Sequence, residues 1–323
     1  MLNPGPLRFT PIFRRFLWGG RRLKTLLNKP VGDEPDYAES WEIVDHEADQ
    51  SIVACGPLQG ATLAEVMARH AGPLLGRHAG LSRFPLLFKF LDANKTLSVQ
   101  VHPDDAQAAK LQPPDLGKTE AWVVLHADPG SVMYAGLRPE VSPESFREAL
   151  QSGCGDACLH RIAPREGDCI FIPAGTVHAL GEGLVVAEIQ QSSNVTFRLF
   201  DWNRTGSDGK PRPLHVEQGL AVTNFRLGPI EPQQTGETVD EGRTCLVSCD
   251  KFVMHRCEFS NSIRIGGDQR FHFVAVLQGS ARLDRDPSGR PLNKGETVLL
   301  PSDGGPWTLE TTERSVVLDI CLP

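Results

Sequence analysis

One strand–turn–strand pattern occurs twice in this chain, and the repeat restricts the folds that the sequence can adopt. The first copy, GDCIFIPAGTVHALGEG, spans residues 167–183, and the second, GETVLLPSDGGPWTLE, spans residues 295–310. Each copy has a glycine followed after five residues by a proline, within short runs of β-branched and aromatic residues. Such runs, bounded by turn residues, are typical of strands. The repeat predicts two related β-barrels, with His178 in the first where Pro306 lies in the second.

The rest of the chain also favours strands over helices. The 31 Gly and 25 Pro among 323 residues predict many turns. Three short helices are predicted: one after a possible capping box at Thr62 and Glu65, one with Pro103 at its first position and acids in its first turn, and one that opens at Ser142-Pro143-Glu144. Strands are predicted at 83–93, 96–102, 121–127 and 168–174, and at roughly regular spacing after residue 215. The prediction is an all-β protein with a small helical decoration.

A polar stretch, EPQQTGETVDEG at residues 231–242, is the predicted linker between the two barrels. We therefore expect an N-terminal domain at residues 1–230, which carries the candidate site and the short helices. The C-terminal domain at residues 231–323 should be a barrel without metal ligands.

Charge and apolar patterning exclude several classes of function. The 33 Lys and Arg against 40 Asp and Glu give a formal net charge of −7, whereas nucleic-acid binders usually carry a basic surplus. No apolar run reaches the ~18 residues that span a bilayer, and Arg14 and Arg15 interrupt the N-terminal apolar stretch. We expect a cytoplasmic protein with eight mostly reduced, buried cysteines and no obligate protein partner.

Four residues form a candidate metal site. Gln100 and His102 are two apart on a predicted strand, so their side chains leave the same face. Glu120 begins the next predicted strand, and His178 follows the turn at 173–175. Two imidazoles, one carboxylate and one amide oxygen suit zinc and leave room for substrate oxygens. Spacing alone leaves open that these are ordinary core and surface residues.

Sequence motifs make the assignment more specific. The glycine–proline–glycine–histidine arrangement at 167–178 resembles the second motif of the cupin superfamily, and Gln100-Val101-His102 replaces its usual His-x-His. Four strings resemble type I mannose-6-phosphate isomerases, particularly their shorter bacterial form: FPLLFKFLDANKTLSVQVHPDD (84–105), GKTEAWVVL (117–125), GTVHALGEGLVVAEIQQSS (175–193) and FRLFDWNR (197–204). The resemblance covers essentially the whole chain. It implies two cupin-type jelly-roll barrels and a zinc enzyme that interconverts mannose 6-phosphate and fructose 6-phosphate.

The resemblance also assigns roles to individual residues. It implies one zinc ion held by Gln100, His102, Glu120 and His178. It places the active-site arginine at Arg198, a lysine beside the zinc glutamate at Lys118, and contacts to the sugar phosphate at Ser98 and Lys89. One position departs from the family. Asn194 lies where the family usually has an aspartate, and an amide cannot accept the substrate proton.

The chemistry requires removal of a carbon-bound proton and stabilisation of a cis-enediolate. Arg198 and Lys118 would supply positive charge near the oxyanion. The base is left open among Lys118, Glu188 and a metal-bound hydroxide. Glu188 could instead pair structurally with Arg198, and Lys89 could extend to the surface.

Two other functions compete with the isomerase. The first is a non-catalytic cupin that binds a sugar phosphate in a regulatory role, which the change to Asn194 favours. The second is an iron-dependent cupin dioxygenase, but the amide ligand Gln100 and the surrounding cations fit a phosphosugar better. The basic segment 204–213 is interpreted first as a surface loop, and alternatively as a segment that closes over a sugar phosphate.

Overall fold

Strands dominate the computed structural model, which describes residues 4–205, 209–233, 238–240 and 242–323. The strands of the first part are β1 (Phe9–Thr10), β2 (Ile12–Gly20), β3 (Tyr37–Ile43), β4 (Asp45–His46), β5 (Asp49–Gln50), β6 (Ile52–Val53), β7 (Leu86–Ala93), β8 (Val99–Val101), β9 (Glu120–Ala127), β10 (Met133–Leu137), β11 (Leu159–Ile162), β12 (Cys169–Ile172), β13 (His178–Leu180), β14 (Leu184–Gln191) and β15 (Phe197–Phe200). Those of the second part are β16 (Thr238–Asp240), β17 (Arg243–Ser248), β18 (Val253–Phe259), β19 (Ser262–Ile265), β20 (His272–Gln278), β21 (Ser280–Leu283), β22 (Leu292–Asn293), β23 (Thr297–Leu300), β24 (Trp307–Glu310) and β25 (Ser315–Cys321). The all-β prediction is confirmed.

The helices are short and lie between the strands. They are α1 (Arg22–Leu27), α2 (Leu63–Leu75), α3 (Asp105–Ala108), α4 (Pro143–Gln151) and α5 (Val216–Val222), with 3₁₀ turns at Gly76–His78 and Gly155–Cys158. The three predicted helices are α2, α3 and α4, and each begins with a capping box on Thr62, Asp104 or Ser142. The sequence analysis did not predict α1 and α5, which lack a side-chain N-cap.

The strands of the first part form two sheets that pack on each other. The large sheet has the order β12-β9-β14-β7-β3-β2, and the smaller one has the order β11-β10-β13-β8-β15. A hydrophobic cluster fills the space between them, with Trp122 and Leu91 from the large sheet against Met133 and Leu180 from the smaller one. Because side chains alternate along a strand, the other face of the large sheet is free to pack elsewhere.

The second part repeats this arrangement. Its large sheet has the order β16-β17-β18-β25-β20-β23, and its smaller sheet has the order β19-β24-β21-β22. The two copies of the sequence repeat occupy equivalent places: β12 and β23 are edge strands of the large sheets, and β13 and β24 belong to the smaller sheets. We interpret each pair of sheets as one barrel of the predicted kind, since both copies lead the chain from a large sheet into its partner.

One hydrophobic core joins the two large sheets. Phe88 of β7 packs against Phe273 of β20 with ring centroids 5.0 Å apart, and Phe84 packs against Phe271 at 4.9 Å. A β-bridge between Leu7 and Leu299 also links the two parts. The domain division between residues 230 and 231 stays a prediction, because this core runs through both parts.

The cysteines form no disulfide within the described residues, and Cys158, Cys169, Cys257 and Cys321 are buried. The described part of the chain contains no helix with the length and apolar character needed to cross a membrane.

We predict that Phe273→Ala destabilises the whole protein. Phe273 is 1% exposed in the core shared by both large sheets, and removing a buried Phe ring costs about 3–5 kcal/mol. Phe16→Ala is the matched control, because Phe16 is 44% exposed and should cost about 0.5 kcal/mol or less. Urea unfolding followed by tryptophan fluorescence measures both, and equal losses would contradict the prediction.

Candidate active site

A cavity of about 480 Å³ opens between the two sheets of the first part. Its lining includes Trp41, Lys89, Gln100, Lys118, Glu188 and Arg198. These residues share the inner face because the strands are paired in register. Glu188 of β14 lies opposite Lys89 of β7 and Trp122 of β9, and Trp41 of β3 lies opposite Lys89.

The four predicted metal ligands come together beside this cavity, and Gln100 also lines it. Gln100 lies opposite His178 across β8 and β13, and its amide nitrogen Nε2 is 3.2 Å from Nε2 of His178. One ligand atom from each of His102, Glu120 and His178 lies within 4.8 Å of the others. All three of these side chains are at most 1% exposed.

Backbone carbonyls orient both imidazoles. Nδ1 of His102 donates to the carbonyl of Val195 at 2.8 Å, and Nδ1 of His178 donates to the carbonyl of Thr176 at 2.9 Å. The two Nε2 atoms therefore face the Glu120 carboxylate, at 3.5 Å from His102 and 3.2 Å from His178. Such outer hydrogen bonds fix the tautomer of metal-binding histidines.

Burial controls the protonation of this group. Burial lowers the pKa of His178 to about 3 and, with the charge of Lys118 adding to it, lowers the pKa of His102 well below its usual value. Both imidazoles are thus neutral near pH 7 and keep a lone pair on Nε2. Burial also raises the pKa of Glu120 to about 7, although the charge of Lys118 opposes the shift.

The donor set fits a divalent cation. Two neutral imidazoles, a carboxylate and an amide are ligands that zinc takes in proteins. Oε1 of Glu120 is buried and has no hydrogen-bond partner among the described residues. A buried acceptor of this kind carries a desolvation cost that a bound cation would offset. Lys118 accounts for the other oxygen, since its Nζ contacts Oε2 of Glu120 and lies 3.0 Å from Nε2 of His102.

Glu188 is held as a carboxylate beside the ligand cluster. Its Oε1 lies 3.1 Å from Nζ of Lys89 and 3.7 Å from Nζ of Lys118, and Nε1 of Trp122 donates to its Oε2 at 3.2 Å. Burial alone would raise the pKa of Glu188, but the charges of Lys89 and Lys118 outweigh burial and lower it. Glu188 is paired with Lys89, so the alternative pairing with Arg198 does not occur in the structure.

Lys89 lies inside the cavity and does not reach the surface. It lies between Glu188 and Glu39, whose Oε2 is 3.9 Å from Nζ. Burial lowers the pKa of Lys89, but these two carboxylates dominate and raise it. Its charge is thus engaged by carboxylates, and its predicted contact with the sugar phosphate stays a prediction.

Arg198 closes another side of the cavity. Its Nε donates to Oγ of Ser98 at 3.3 Å, and its Nη1 donates to the carbonyl of Pro213 at 3.0 Å. Ser98 therefore supports the guanidinium in this structure, and its contact with phosphate stays a prediction. Asn194 is exposed at the cavity lining, so its amide reaches the same space.

The sequence analysis missed several lining residues. Trp122 follows Glu120 by two positions, so strand alternation would have placed it on the same inner face. Arg14 lies over the ring of Trp41 at 5.0 Å and also lines the cavity. Arg212, another lining residue, is bound by Asp201 at 2.5 and 2.7 Å. Nothing in the local pattern identifies these two arginines, because distant segments bring them to the cavity.

Comparisons with known proteins agree with this geometry. A profile of the catalytic domain of type I phosphomannose isomerase matches residues 7–135. The chain is 34% identical over 310 residues to a probable mannose-6-phosphate isomerase of Bacillus subtilis, covering 95% of this chain and 96% of that protein. It is also 34% identical to a mannose-6-phosphate isomerase of Streptococcus mutans, covering 94% of this chain and 95% of that protein.

A solved structure extends the similarity to the fold. The crystal structure of a mannose 6-phosphate isomerase from Bacillus subtilis matches with a TM-score of 0.88 and 29% identity, covering 99% of this chain and all of that one. Similarity of this extent holds for both sheet pairs and for the strands that carry the site. The chain therefore belongs to the type I phosphomannose isomerase family and is an isomerase.

Proposed function

We propose that this isomerase is zinc-dependent and interconverts mannose 6-phosphate and fructose 6-phosphate through a cis-enediolate. The observation that carries the proposal is the buried cluster of His102, Glu120 and His178 next to the carboxylate of Glu188. A proton carrier beside a cation site is what an aldose–ketose isomerisation requires. The names of the relatives supply the substrate pair.

The candidate ligands come from three strands: Gln100 lies on β8 with His102 directly after it, Glu120 begins β9, and His178 begins β13. We assign the metal to Gln100, His102, Glu120 and His178. When bound, zinc polarises the substrate carbonyl and offsets the negative charge that develops on the sugar oxygens. Zinc suits this role because it has no redox chemistry.

Proton transfer is assigned to Glu188. Its lowered pKa keeps it ionised near neutral pH, so it can accept a proton from C2 of the aldose and return it to C1. Lys89 and Trp122 hold its two oxygens and fix the direction of the carboxylate. Asn194 cannot serve as a base, and this assignment does not require it to.

Positive charge around the oxyanion comes from Arg198 and Lys118. Arginine does not titrate near neutral pH, so Arg198 stabilises charge and takes no part in proton transfer. Trp122 and Leu180 line the cavity from opposite sheets and exclude water from the space around these charges, which strengthens their effect on the enediolate.

The partners follow from the same chemistry. We propose a cytoplasmic enzyme whose partner is a small sugar phosphate, with no nucleic acid, no membrane and no obligate protein partner. The net charge of −7 supports the exclusion of nucleic acid.

We predict that turnover depends reversibly on zinc. A coupled assay for fructose 6-phosphate formed from mannose 6-phosphate is run on the protein as purified, after chelation, and after zinc is returned. Chelation should reduce turnover to background, and zinc should restore it. Turnover that survives complete metal loss would contradict the zinc role. Absence of turnover at stoichiometric zinc would favour the sugar-phosphate-binding alternative, and Asn194→Asp would then be the variant to test.

We predict that His102→Ala and His178→Ala each abolish bound zinc and turnover without unfolding the chain. Backbone hydrogen bonds pair β13 with β8 and β10, and they do not need the imidazole. Metal analysis and circular dichroism report the two effects. His126→Ala is the matched control, because His126 pairs with Asp128 outside the cavity. Full zinc content in either ligand variant would refute the assignment.

We predict that Arg198→Ala lowers kcat about 10²–10³-fold with little change in KM, because an oxyanion contact acts in the transition state. Arg138→Ala provides the control, since the Arg138 side chain is 54% exposed and pairs with Glu140. Steady-state kinetics separate the two parameters. A change in KM alone would reassign Arg198 to substrate binding.

A further inference from the structure

A chain of hydrogen bonds connects Asp115 to the imidazole of His102. The chain begins at the carbonyl of Val195, which accepts from Nδ1 of His102 at 2.8 Å. Val195 lies between the end of β14 at Gln191 and the start of β15 at Phe197, so no strand pairing holds this carbonyl in place.

Side chains hold the segment 193–195 instead. The backbone N–H of Val195 donates to Oγ of Ser193 at 3.3 Å, and that hydroxyl donates to Oδ2 of Asp115 at 3.2 Å. The N–H of Asn194 donates to the same carboxylate oxygen at 3.4 Å. Gln190 adds a bond from its Nε2 to the carbonyl of Ser193 at 2.7 Å. Asp115 is therefore the acceptor on which the segment converges.

Asp115 is itself fixed from several directions. Nη2 of Arg83 donates to Oδ1 at 3.0 Å, and Nε2 of His46 donates to Oδ2 at 2.9 Å. The N–H of Leu116 donates to Oδ1 at 2.8 Å. The Asp115 side chain is only 12% exposed. A carboxylate with this many donors is held in one orientation. Because Ser193 and Asn194 donate to it, it also fixes the position of the segment whose Val195 carbonyl contacts His102.

We propose that Asp115 is a positioning residue that holds His102 in its Nδ1–H tautomer and aims Nε2 into the ligand cluster, acting through Ser193 and the carbonyl of Val195. The inference rests on the proposed function, since it concerns how one zinc ligand is prepared. It adds a residue that lies outside the cavity lining and whose hydrogen bonds go to residues other than the four candidate metal ligands.

The structure supplies an internal reference for this idea. His178 is oriented by the carbonyl of Thr176, which belongs to its own turn and is not connected to Asp115 by the hydrogen bonds described above. A change at Asp115 should therefore alter His102 and leave His178 as it is. General loosening of the site would alter both histidines.

The first test is the zinc affinity of Asp115→Asn, measured by competition with a chromophoric chelator. Asparagine offers one acceptor oxygen in place of two, so the donors on Oδ1 and those on Oδ2 cannot all be kept, and the carboxyl position loses its fixed orientation. We expect zinc to bind about tenfold more weakly, at the lower end of the losses seen when partners outside the ligand shell are removed. Asp284→Asn is the matched control, because Asp284 accepts from the N–H of Thr308 in the second part. Its zinc affinity should not change.

The second test needs no metal. Long-range ¹H–¹⁵N correlation spectra of the metal-free protein distinguish the Nδ1–H and Nε2–H tautomers of each neutral histidine. In the parent protein, His102 and His178 should both be Nδ1–H. In Asp115→Asn, His102 should become a mixture while His178 keeps its tautomer. Ser193→Ala removes the hydroxyl that links Val195 to Asp115, and it should produce the same change to a smaller degree. This second variant tests the inference even if Asp115→Asn folds poorly.

The outcomes separate this inference from the proposed function. If the parent protein binds no zinc, the proposed function fails. If the parent binds zinc, and Asp115→Asn matches it in affinity and in the tautomer of His102, the positioning role alone is overturned. A lowered melting temperature without either change would assign Asp115 a purely structural role and would also overturn the inference.

Discussion

The site depends on a row of four buried charged side chains whose signs alternate. Glu120, Lys118, Glu188 and Lys89 alternate in sign, and each contacts the next: Lys118 contacts Glu120, and the two lysines lie 3.7 and 3.1 Å from Oε1 of Glu188. A single buried charge would be driven to its neutral form. In this row the charges of the two lysines lower the pKa of Glu188 and oppose the rise that burial causes in the pKa of Glu120. The row nevertheless leaves one oxygen of Glu120 without a hydrogen bond. This unpaired oxygen lies beside the two neutral imidazoles, and the three groups together form a place where a metal would bind.

Strand alternation allows the charged row and the hydrophobic core to coexist. Along β7 and β14, the inward residues Lys89 and Glu188 alternate with residues that face the core shared with the second part, such as Phe88 and Ile189. The inner face of the large sheet therefore carries the charged row beside the apolar side chains of Trp122 and Leu91, and its other face is apolar. Packing of the second part on the apolar face buries the back of the strands that carry Lys89 and Glu188. The second part thus supports the site without lining it.

The sequence predicts the site to the extent that strands build it. Period-two spacing placed Gln100 and His102 on one face, and the family motif pointed to His178. The pairing of His178 with Gln100 across β8 and β13 is seen only in the structure. Loops supply the remainder, including the carbonyls that orient the imidazoles and the partners of Asp115. Residues 46, 83, 115 and 193 are far apart in the chain, and no local pattern predicts that their side chains meet. The burial of Lys89 between two carboxylates likewise depends on the register of three strands.

The second sheet pair shows how a different hydrogen-bond partner changes the charge of a buried histidine. Its buried histidine, His272, donates from Nδ1 to Asp319 at 2.6 Å and from Nε2 to Asp268 at 3.1 Å. Burial lowers the pKa of His272, but the charges and hydrogen bonds of Asp319 and Asp268 together outweigh burial, and the pKa rises to about 9. The ring is thus a cation with both nitrogens occupied and has no lone pair for a metal. In His102 and His178 a neutral carbonyl occupies Nδ1 instead, so burial keeps these rings uncharged and leaves Nε2 able to bind. A neutral carbonyl on Nδ1 therefore leaves a buried histidine able to act as a ligand, whereas a carboxylate there makes the histidine half of an ion pair.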